Sequence, residues 1–219
     1  MRRRRVLQGS AAAAAALWPR ARAWSAAQRQ PPALQPGSRI AAVAPGTWLE
    51  SDRAWLDRLA ARCQQQGWTL LQPSALGQRW RWFAGTDRQR AEALQQAWLD
   101  PEVDALFCVG AGWGSARLLE QGWRPPAHPR WCVGFSDCSA LLLAQWAAGS
   151  LGGIHGWFGS EPNAWQRLVA LLSHQPMPPL QGKAVQGGVA EGPLVVSNLT
   201  IATSLIGTPW LPSLKGAIL

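Results

Sequence analysis

Two short apolar runs, each followed by a small-residue corner and then by a helical pattern, constrain the fold of this chain most strongly. The first run covers residues 103–109 and leads into the glycine-rich turn 110–114. The second covers residues 131–135 and leads into Ser136 and Asp137, after which apolar residues recur at helical spacing. Strands that alternate with helices in this way form a parallel sheet with helices on its faces. The sequence therefore predicts an α/β fold with a parallel, Rossmann-like or flavodoxin-like sheet.

The rest of residues 38–173 continues the same alternation. Gly67 is placed to end the first helix, and Thr86 with Gln89 forms a capping-box pattern at the start of the second. No strand is predicted in the glycine-rich passage 149–160. The other predicted elements are strands over 40–44 and 68–72, and helices over 49–66, 86–99, 137–148 and 161–172, with one more ending near residue 121.

Composition divides the chain into five segments. They are an export signal (1–23), a proline-punctuated linker (24–37), the α/β domain (38–173), a second linker (174–190) and the start of a further domain (191–219). In the last segment we expect a strand over 192–197, a short helix over 198–206 and the opening of another strand at 216–219. A natural domain rarely ends on such an apolar run, so the sequence indicates a C-terminally truncated chain with exposed apolar surface.

The first 23 residues have the layout of an export signal. A basic start is followed by the apolar run 11–18 and by small residues at 21–23, before Trp24. The segment 3–8, Arg-Arg-Arg-Val-Leu-Gln, in addition resembles a twin-arginine signal. We therefore expect an exported chain, periplasmic or membrane-associated, that touches the membrane only through this segment. A retained anchor, or a cytoplasmic chain with a basic tail, remains the alternative.

Charge and cysteine usage exclude several partners. Six of the 21 basic residues of this chain, whose net charge is +9, precede Trp24, and the remaining 15 stand against 12 acidic residues. That balance does not support nucleic-acid binding. The four cysteines show no paired or metal-ligand spacing, so we expect no metal, no cofactor and no required disulfide. The cysteines are Cys63, Cys108, Cys132 and Cys138.

Several short motifs, in a fixed order between Pro36 and Leu219, are specific as a set. They are Pro36-Gly37-Ser38-Arg39-Ile40, Val43-Ala44-Pro45-Gly46, Phe83-Ala84-Gly85-Thr86-Asp87-Arg88-Gln89-Arg90, the glycine turn, the Ser136 corner, Gly153-Ile154-His155-Gly156, Ser197-Asn198-Leu199 and Gly207-Thr208-Pro209. This order resembles the LD-carboxypeptidase family of serine peptidases, which includes muramoyltetrapeptide carboxypeptidases and the microcin-immunity peptidase.

The resemblance implies roles for a small set of residues. Ser136 would be the nucleophile, and the backbone N–H groups of Gly112 and Asp137 would form the oxyanion hole. Residues expected to contact substrate are Trp113, Gly114, His155 and Asn198. The substrate implied is a small peptide such as murein tetrapeptide, cleaved at the bond to its terminal D-amino acid without a metal. Whether the chain forms a homodimer stays open.

The resemblance also marks departures from the family. Its glutamate and histidine of the catalytic triad fall beyond Leu219, so we expect this chain to be nearly inactive. In the glycine turn, Gly110 replaces an arginine, Ala111 a glycine and Trp113 a tyrosine, which affects substrate recognition. For His155, a turn-stabilising or substrate-contacting role is favoured over that of a substitute base.

Three other interpretations remain open at this stage. The chain could be a noncatalytic relative that binds murein peptides. Ser136 could be a plain helix-capping serine. A dinucleotide-binding domain would also explain a strand, a glycine turn and a helix, but Gly110-x-Gly112-x-x-Ser115 lacks the third small position of that fingerprint.

Overall fold

The computed structural model describes residues 30–49, 53–110, 112–158, 161–183 and 185–219. The predicted export signal, the first part of the predicted linker and Ala111 lie outside these ranges. The elements are β1 (Arg39–Val43), α1 (Arg53–Gln65), β2 (Thr69–Leu71), α2 (Asp87–Leu99), β3 (Ala105–Cys108), α3 (Ala116–Glu120), β4 (Trp131–Gly134), α4 (Ser139–Ala147), β5 (Gly153–His155), α5 (Pro162–Leu172) and α6 (Leu199–Ser204).

The strands form one parallel sheet of five, in the order β2-β1-β3-β4-β5. This order confirms the predicted α/β class and is that of flavodoxin-like sheets. The edge strand β5 was not predicted. It has only three residues, which are exposed or half-buried, so it carries neither the apolar run nor the alternation that identifies a strand.

The core lies on both faces of this sheet. Residues of β3 alternate between the faces, so Phe107 packs under α1 and α5 while Leu106 packs under α2 and α4. Every residue of β3 and β4 is buried. Strands covered by helices on both sides need apolar residues throughout, which is why these two runs were legible in the sequence.

Local signals fix several helix ends as predicted. Thr86 and Gln89 make the full capping box at the start of α2, with Thr86 Oγ1 accepting from the Gln89 N–H. Gly67 follows α1 with a φ of 76°, the left-handed conformation that glycine adopts without penalty.

The described part of the predicted linker 24–37 is packed against the domain. Leu34 is buried in the core and its N–H donates to the Leu172 carbonyl at 2.9 Å. The Trp131 indole N–H donates to the Pro32 carbonyl at 2.7 Å. The packed part of the chain therefore includes residues of the predicted linker, before the domain start predicted at residue 38.

The segment 191–219 packs partly on the sheet domain. Asn198 caps α6, and its N–H donates to Ser139 Oγ on α4 at 2.8 Å. The strand predicted over 192–197 is reduced to one bridge, Leu194 to Ile218. The start of a second domain stays a prediction. Apolar side chains that are more than half exposed in the predicted linker 174–190 and in this segment are Leu180, Val185, Val189, Leu194, Val196, Leu199, Ile206 and Leu219.

None of the helices in the described ranges combines the length and apolarity that a bilayer crossing requires.

Candidate active site

Loops at the carboxyl ends of four strands surround one cavity of about 750 Å³. Parallel α/β sheets bind ligands at this edge, because the chain leaves every strand there. The lining residues come from the loops after β1, β3, β4 and β5 together with two tryptophans: Pro45, Gly46, Thr47, Trp48, Leu49, Trp55, Trp82, Cys108, Val109, Gly110, Gly112, Ser115, Phe135, Ser136, Asp137, Cys138, Trp157 and Phe158.

Ser136 lies on a sharp corner directly after β4. Its φ is 53°, a left-handed conformation that costs a non-glycine residue about 1–2 kcal/mol. The turn Ser136–Cys138 folds back so closely that a Cβ at Gly134 would lie 2.6 Å from the Cys138 Cβ. Neither this turn nor α4 has a side-chain cap, so the plain capping role for Ser136 is wrong. The strained corner instead presents Ser136 to the cavity.

His155, at the end of β5, supports this corner. Its Nε2 accepts a hydrogen bond from the Ser136 N–H at 3.0 Å. Burial lowers the pKa of His155, which keeps the ring neutral and its Nε2 lone pair available to accept. Because that lone pair is already used, the geometry favours the turn-stabilising role over a base for the Ser136 hydroxyl. Phe135 packs against the ring at 5.1 Å between centroids.

Asp137 and Gly112, whose N–H groups are predicted to form the oxyanion hole, both line the cavity. The first internal hydrogen bond of the 136–138 turn runs from the Cys138 N–H to the Phe135 carbonyl. The Ser136 and Asp137 N–H groups precede it. The Ser136 N–H donates to His155 Nε2, whereas the Asp137 N–H has no partner among the turn and side-chain hydrogen bonds of the described residues. Gly112, in the glycine turn after β3, is exposed and lines the same cavity.

The glycine turn needs its glycines for packing as well as for conformation. Gly110, Gly112 and Gly114 have φ values of 89°, 97° and 119°. A Cβ at Gly112 would lie 2.3 Å from Thr47 Cγ2, and one at Gly114 would lie 2.6 Å from Phe83 Cε1. These glycines make room for other loops of the same chain, which explains their presence without a bound dinucleotide.

The carboxylate of Asp137 ties the corner to the glycine turn. Its Oδ2 accepts from the Ser115 N–H at 2.7 Å, and the residue is 7% exposed. Sequence reasoning assigned only the backbone N–H of Asp137. The carboxylate role was missed because Ser115 is 22 residues away and nothing local marks the contact.

Arg90 was also missed, and it holds two of the cavity loops together. Its side chain is fully buried; Nη1 donates to the carbonyls of Gly114, at 3.0 Å, and Pro45, while Nη2 pairs with Asp87. The guanidinium lies 4.6 Å from the ring of Phe83. The available signal was the capped start of α2, which places Asp87 and Arg90 three residues apart on one face.

Asp87 in turn bridges Arg90 to Arg117. Arg117 donates to Asp87 through Nη2 at 2.6 Å and through Nε at 3.0 Å. The Arg117 hydrogen bond is the main cause that lowers the pKa of Asp87, with the nearby charges adding to it. Burial lowers the pKa of Arg90, and Asp87 opposes that effect. The carboxylate therefore stays ionised between two arginines.

The remaining predicted contact residues, Trp113, Gly114 and Asn198, are not among the lining residues of the cavity. Trp113 is 55% exposed and packs edge-on against Phe83 at 4.9 Å. Gly114 is buried between Phe83 and Arg90. Asn198 Oδ1 accepts from the Ile201 N–H as the cap of α6, so its side chain is engaged away from the cavity.

Within the described ranges, no second group completes a catalytic triad around Ser136. His155 is committed to the Ser136 N–H and Asp137 to the Ser115 N–H. The same residues contain no cluster of three His, Cys, Asp or Glu side chains that could hold a metal ion. The described part of the site therefore offers the Ser136 hydroxyl but no general base beside it.

A family model described as the LD-carboxypeptidase N-terminal domain matches residues 40–156. A putative carboxypeptidase of Synechocystis is 38% identical over 197 residues, covering 87% of this chain and 64% of the relative. The murein tetrapeptide carboxypeptidase of Pseudomonas aeruginosa is 31% identical over 192 residues, covering 78% and 61%. The chain thus spans less than two thirds of these relatives.

Solved structures agree on the fold. The microcin C7 self-immunity protein in its apo state superposes with a TM-score of 0.73 at 18% identity, covering 87% of this chain and 70% of that one. A muramoyltetrapeptide carboxypeptidase from Oxalobacter formigenes gives 0.61 at 19% identity, covering 80% and 62%.

Proposed function

This chain belongs to the LD-carboxypeptidase family, and on that premise we propose that it carries the nucleophile and oxyanion hole of a serine peptidase acting on murein-derived peptides. The observation that carries the proposal is the strained corner at Ser136, which shares one cavity with the Asp137 and Gly112 N–H groups. A nucleophile on a strand-to-helix corner, followed by a free N–H, is the arrangement that acyl transfer requires.

In the proposed reaction Ser136 Oγ attacks the carbonyl that precedes the terminal D-amino acid. The carbonyl oxygen becomes an oxyanion and accepts hydrogen bonds from the Asp137 and Gly112 N–H groups, each worth about 3 kcal/mol in comparable sites. The C–N bond then breaks, the D-amino acid leaves as an amine that must gain a proton, and water hydrolyses the acyl-serine. His155 holds the Ser136 N–H throughout and so keeps the corner in place.

The substrate class is taken from the relatives. Those of Pseudomonas aeruginosa and Bacillus subtilis are named as a murein tetrapeptide carboxypeptidase and a probable murein peptide carboxypeptidase. Peptides that end in D-alanine are therefore the first to test on this chain.

The residues described here supply no base for the Ser136 proton, so we propose that the 219-residue chain acts only slowly by itself. A serine hydroxyl is a weak nucleophile until a base takes its proton. The open cavity leaves space for a small exogenous base, and imidazole added in solution should supply this function.

The test is D-alanine release from a murein tetrapeptide, measured with and without imidazole. We expect release close to background for the chain alone, a clear increase with imidazole, and no increase in the Ser136→Ala variant. Strong imidazole-independent release would contradict the missing-base argument. Rescue that persists in Ser136→Ala would remove Ser136 as nucleophile.

A noncatalytic murein-peptide binding protein is the second candidate, favoured by the engagement of both His155 and Asp137 in structural hydrogen bonds. Tight peptide binding without D-alanine release under any of these conditions would support this candidate over the peptidase.

We also propose that the chain is exported through its first 23 residues. N-terminal sequencing of the mature protein tests this, since export with cleavage predicts a start near Trp24. A cytoplasmic chain that begins at Met1 would contradict it.

A further inference from the structure

The cavity around Ser136 has no cationic side chain among its described lining residues. Asp137 is the only charged residue in that lining, and its carboxylate is buried against the Ser115 N–H. A carboxypeptidase substrate, which the proposed function implies, brings a free carboxylate to within one residue of the bond that breaks. A carboxylate that loses water beside Asp137 needs a cationic or hydrogen-bonding partner, since burial without one is costly.

Arg79 is not itself a lining residue, but it lies beside one. Its guanidinium carbon lies 3.9 Å from the ring centroid of Trp48, and Trp48 lines the cavity. The Arg79 Nε donates to the Arg81 carbonyl at 3.3 Å, which orients the planar group. In the described part of the chain no carboxylate lies within salt-bridge distance of Arg79, and its two terminal nitrogens are uncommitted.

The loop that carries Arg79 is fastened to the loop that carries Trp48. The Trp48 N–H donates to the Trp82 carbonyl at 3.2 Å, and Thr47 pairs with Phe83 in an antiparallel bridge. Trp82, from the same loop as Arg79, lines the cavity as well. The position of Arg79 relative to the cavity is therefore set by backbone contacts as well as by ring stacking.

The other nearby arginines are engaged elsewhere. Arg90 and Arg117 hold Asp87. Arg62 donates to the Phe158 carbonyl and lies over Trp165. Arg81 lies over Trp80, which is outside the cavity lining.

We propose that Arg79, stacked on Trp48, binds the terminal carboxylate of the substrate peptide. A planar guanidinium with two free terminal nitrogens matches a carboxylate in bidentate geometry, and an aromatic face beneath it restricts its orientation. Arg79 is thus a specificity residue that selects peptides with a free C-terminus over internal or amidated ones. The inference rests on the proposed function, because the carboxylate is that of a carboxypeptidase substrate.

The experiment compares two ligands by calorimetry: a tetrapeptide ending in D-alanine and the same peptide with a C-terminal amide. Ser136→Ala serves as the parent so that no ligand is consumed. Arg79→Gln is the test variant. Arg81→Gln is the matched control, since it removes an exposed arginine two residues away that stacks on a tryptophan outside the lining.

We expect the parent to bind the acid about 10-fold or more tightly than the amide, since hydrogen bonds to charged groups are the stronger ones. Arg79→Gln should lose most of this preference by weakening only the acid, and Arg81→Gln should keep it. The acid's affinity should fall with salt in the parent and much less in Arg79→Gln.

Three results would overturn the assignment. An unchanged acid preference in Arg79→Gln would show that another group binds the carboxylate. Equal weakening of acid and amide would assign Arg79 only a packing role on Trp48. Binding of neither peptide to the parent would overturn the proposed function, and this assignment with it.

Discussion

Replacing Arg90 by methionine should destabilise the fold strongly, because Arg90 joins the loops on two sides of the cavity. The substitution keeps side-chain volume but removes the donors to the Pro45 and Gly114 carbonyls, both in buried residues. A buried polar group left without a partner costs about 1–3 kcal/mol. Asp87 keeps Arg117, so the larger penalty of an orphaned buried charge, about 3–5 kcal/mol, is avoided.

We therefore expect the free energy of unfolding to fall by about 2–4 kcal/mol in Arg90→Met, equivalent to roughly 5–15 °C in melting temperature for a chain of this size. Urea titration followed by tryptophan fluorescence measures it. Arg117→Met is the matched control: Arg117 pairs with the same carboxylate but is 40% exposed, so its loss should cost under about 1 kcal/mol. Equal losses in the two variants would refute the argument that Arg90 acts through the two buried carbonyls.

Two further predictions concern the same site, and a third concerns the core. Gly112→Ala should destabilise the chain and impair any D-alanine release, because the new Cβ would lie 2.3 Å from Thr47 Cγ2 at a φ of 97°. Adding Thr47→Ala should recover part of the lost stability. Full additivity of the two substitutions in the free energy of unfolding would contradict this. The lowered pKa of His155 means that the unfolded chain binds its proton first, so stability should fall as pH drops below about 6.5. His155→Phe should reduce the change in the urea midpoint between pH 7.5 and pH 5. An unchanged pH dependence in this variant would exclude His155 as the cause of the stability loss. Burial raises the pKa of Cys63 to about 12, so a thiol reagent should leave Cys63 unmodified in the native chain and label it after unfolding, as peptide mapping would reveal.

The sheet was largely predictable, and its edges were not. Strands β3 and β4 are buried on both faces and are therefore continuously apolar, so they can be recognised from the sequence alone. Strand β5 pairs on one side with β4 and contains a glycine, so its three residues carry no pattern. Leu34 lies in a proline-rich stretch typical of linkers, and its burial depends on α5, more than a hundred residues later.

The candidate site was predictable where backbone shape decides it. The small-residue corners of 110–114 and 134–137 were visible in the sequence, and the family resemblance then pointed to Gly112, Ser136 and Asp137 within them. The Asp137 carboxylate, the Arg90 side chain and the His155 acceptor are different, because each acts on a loop far away in sequence. Such contacts exist only once the sheet brings its carboxyl ends together.

In the proposed reaction, Ser136 is the group that forms the covalent bond with the substrate. The direct measurement is peptide mapping by mass spectrometry after the chain reacts, with imidazole present, with a phosphonate ester analogue of a D-alanine-terminated peptide. The expected result is one added phosphonyl group, located on Ser136 and missing from the Ser136→Ala variant. A label on any other residue, or a chain that releases D-alanine while Ser136 stays unlabelled, would contradict it.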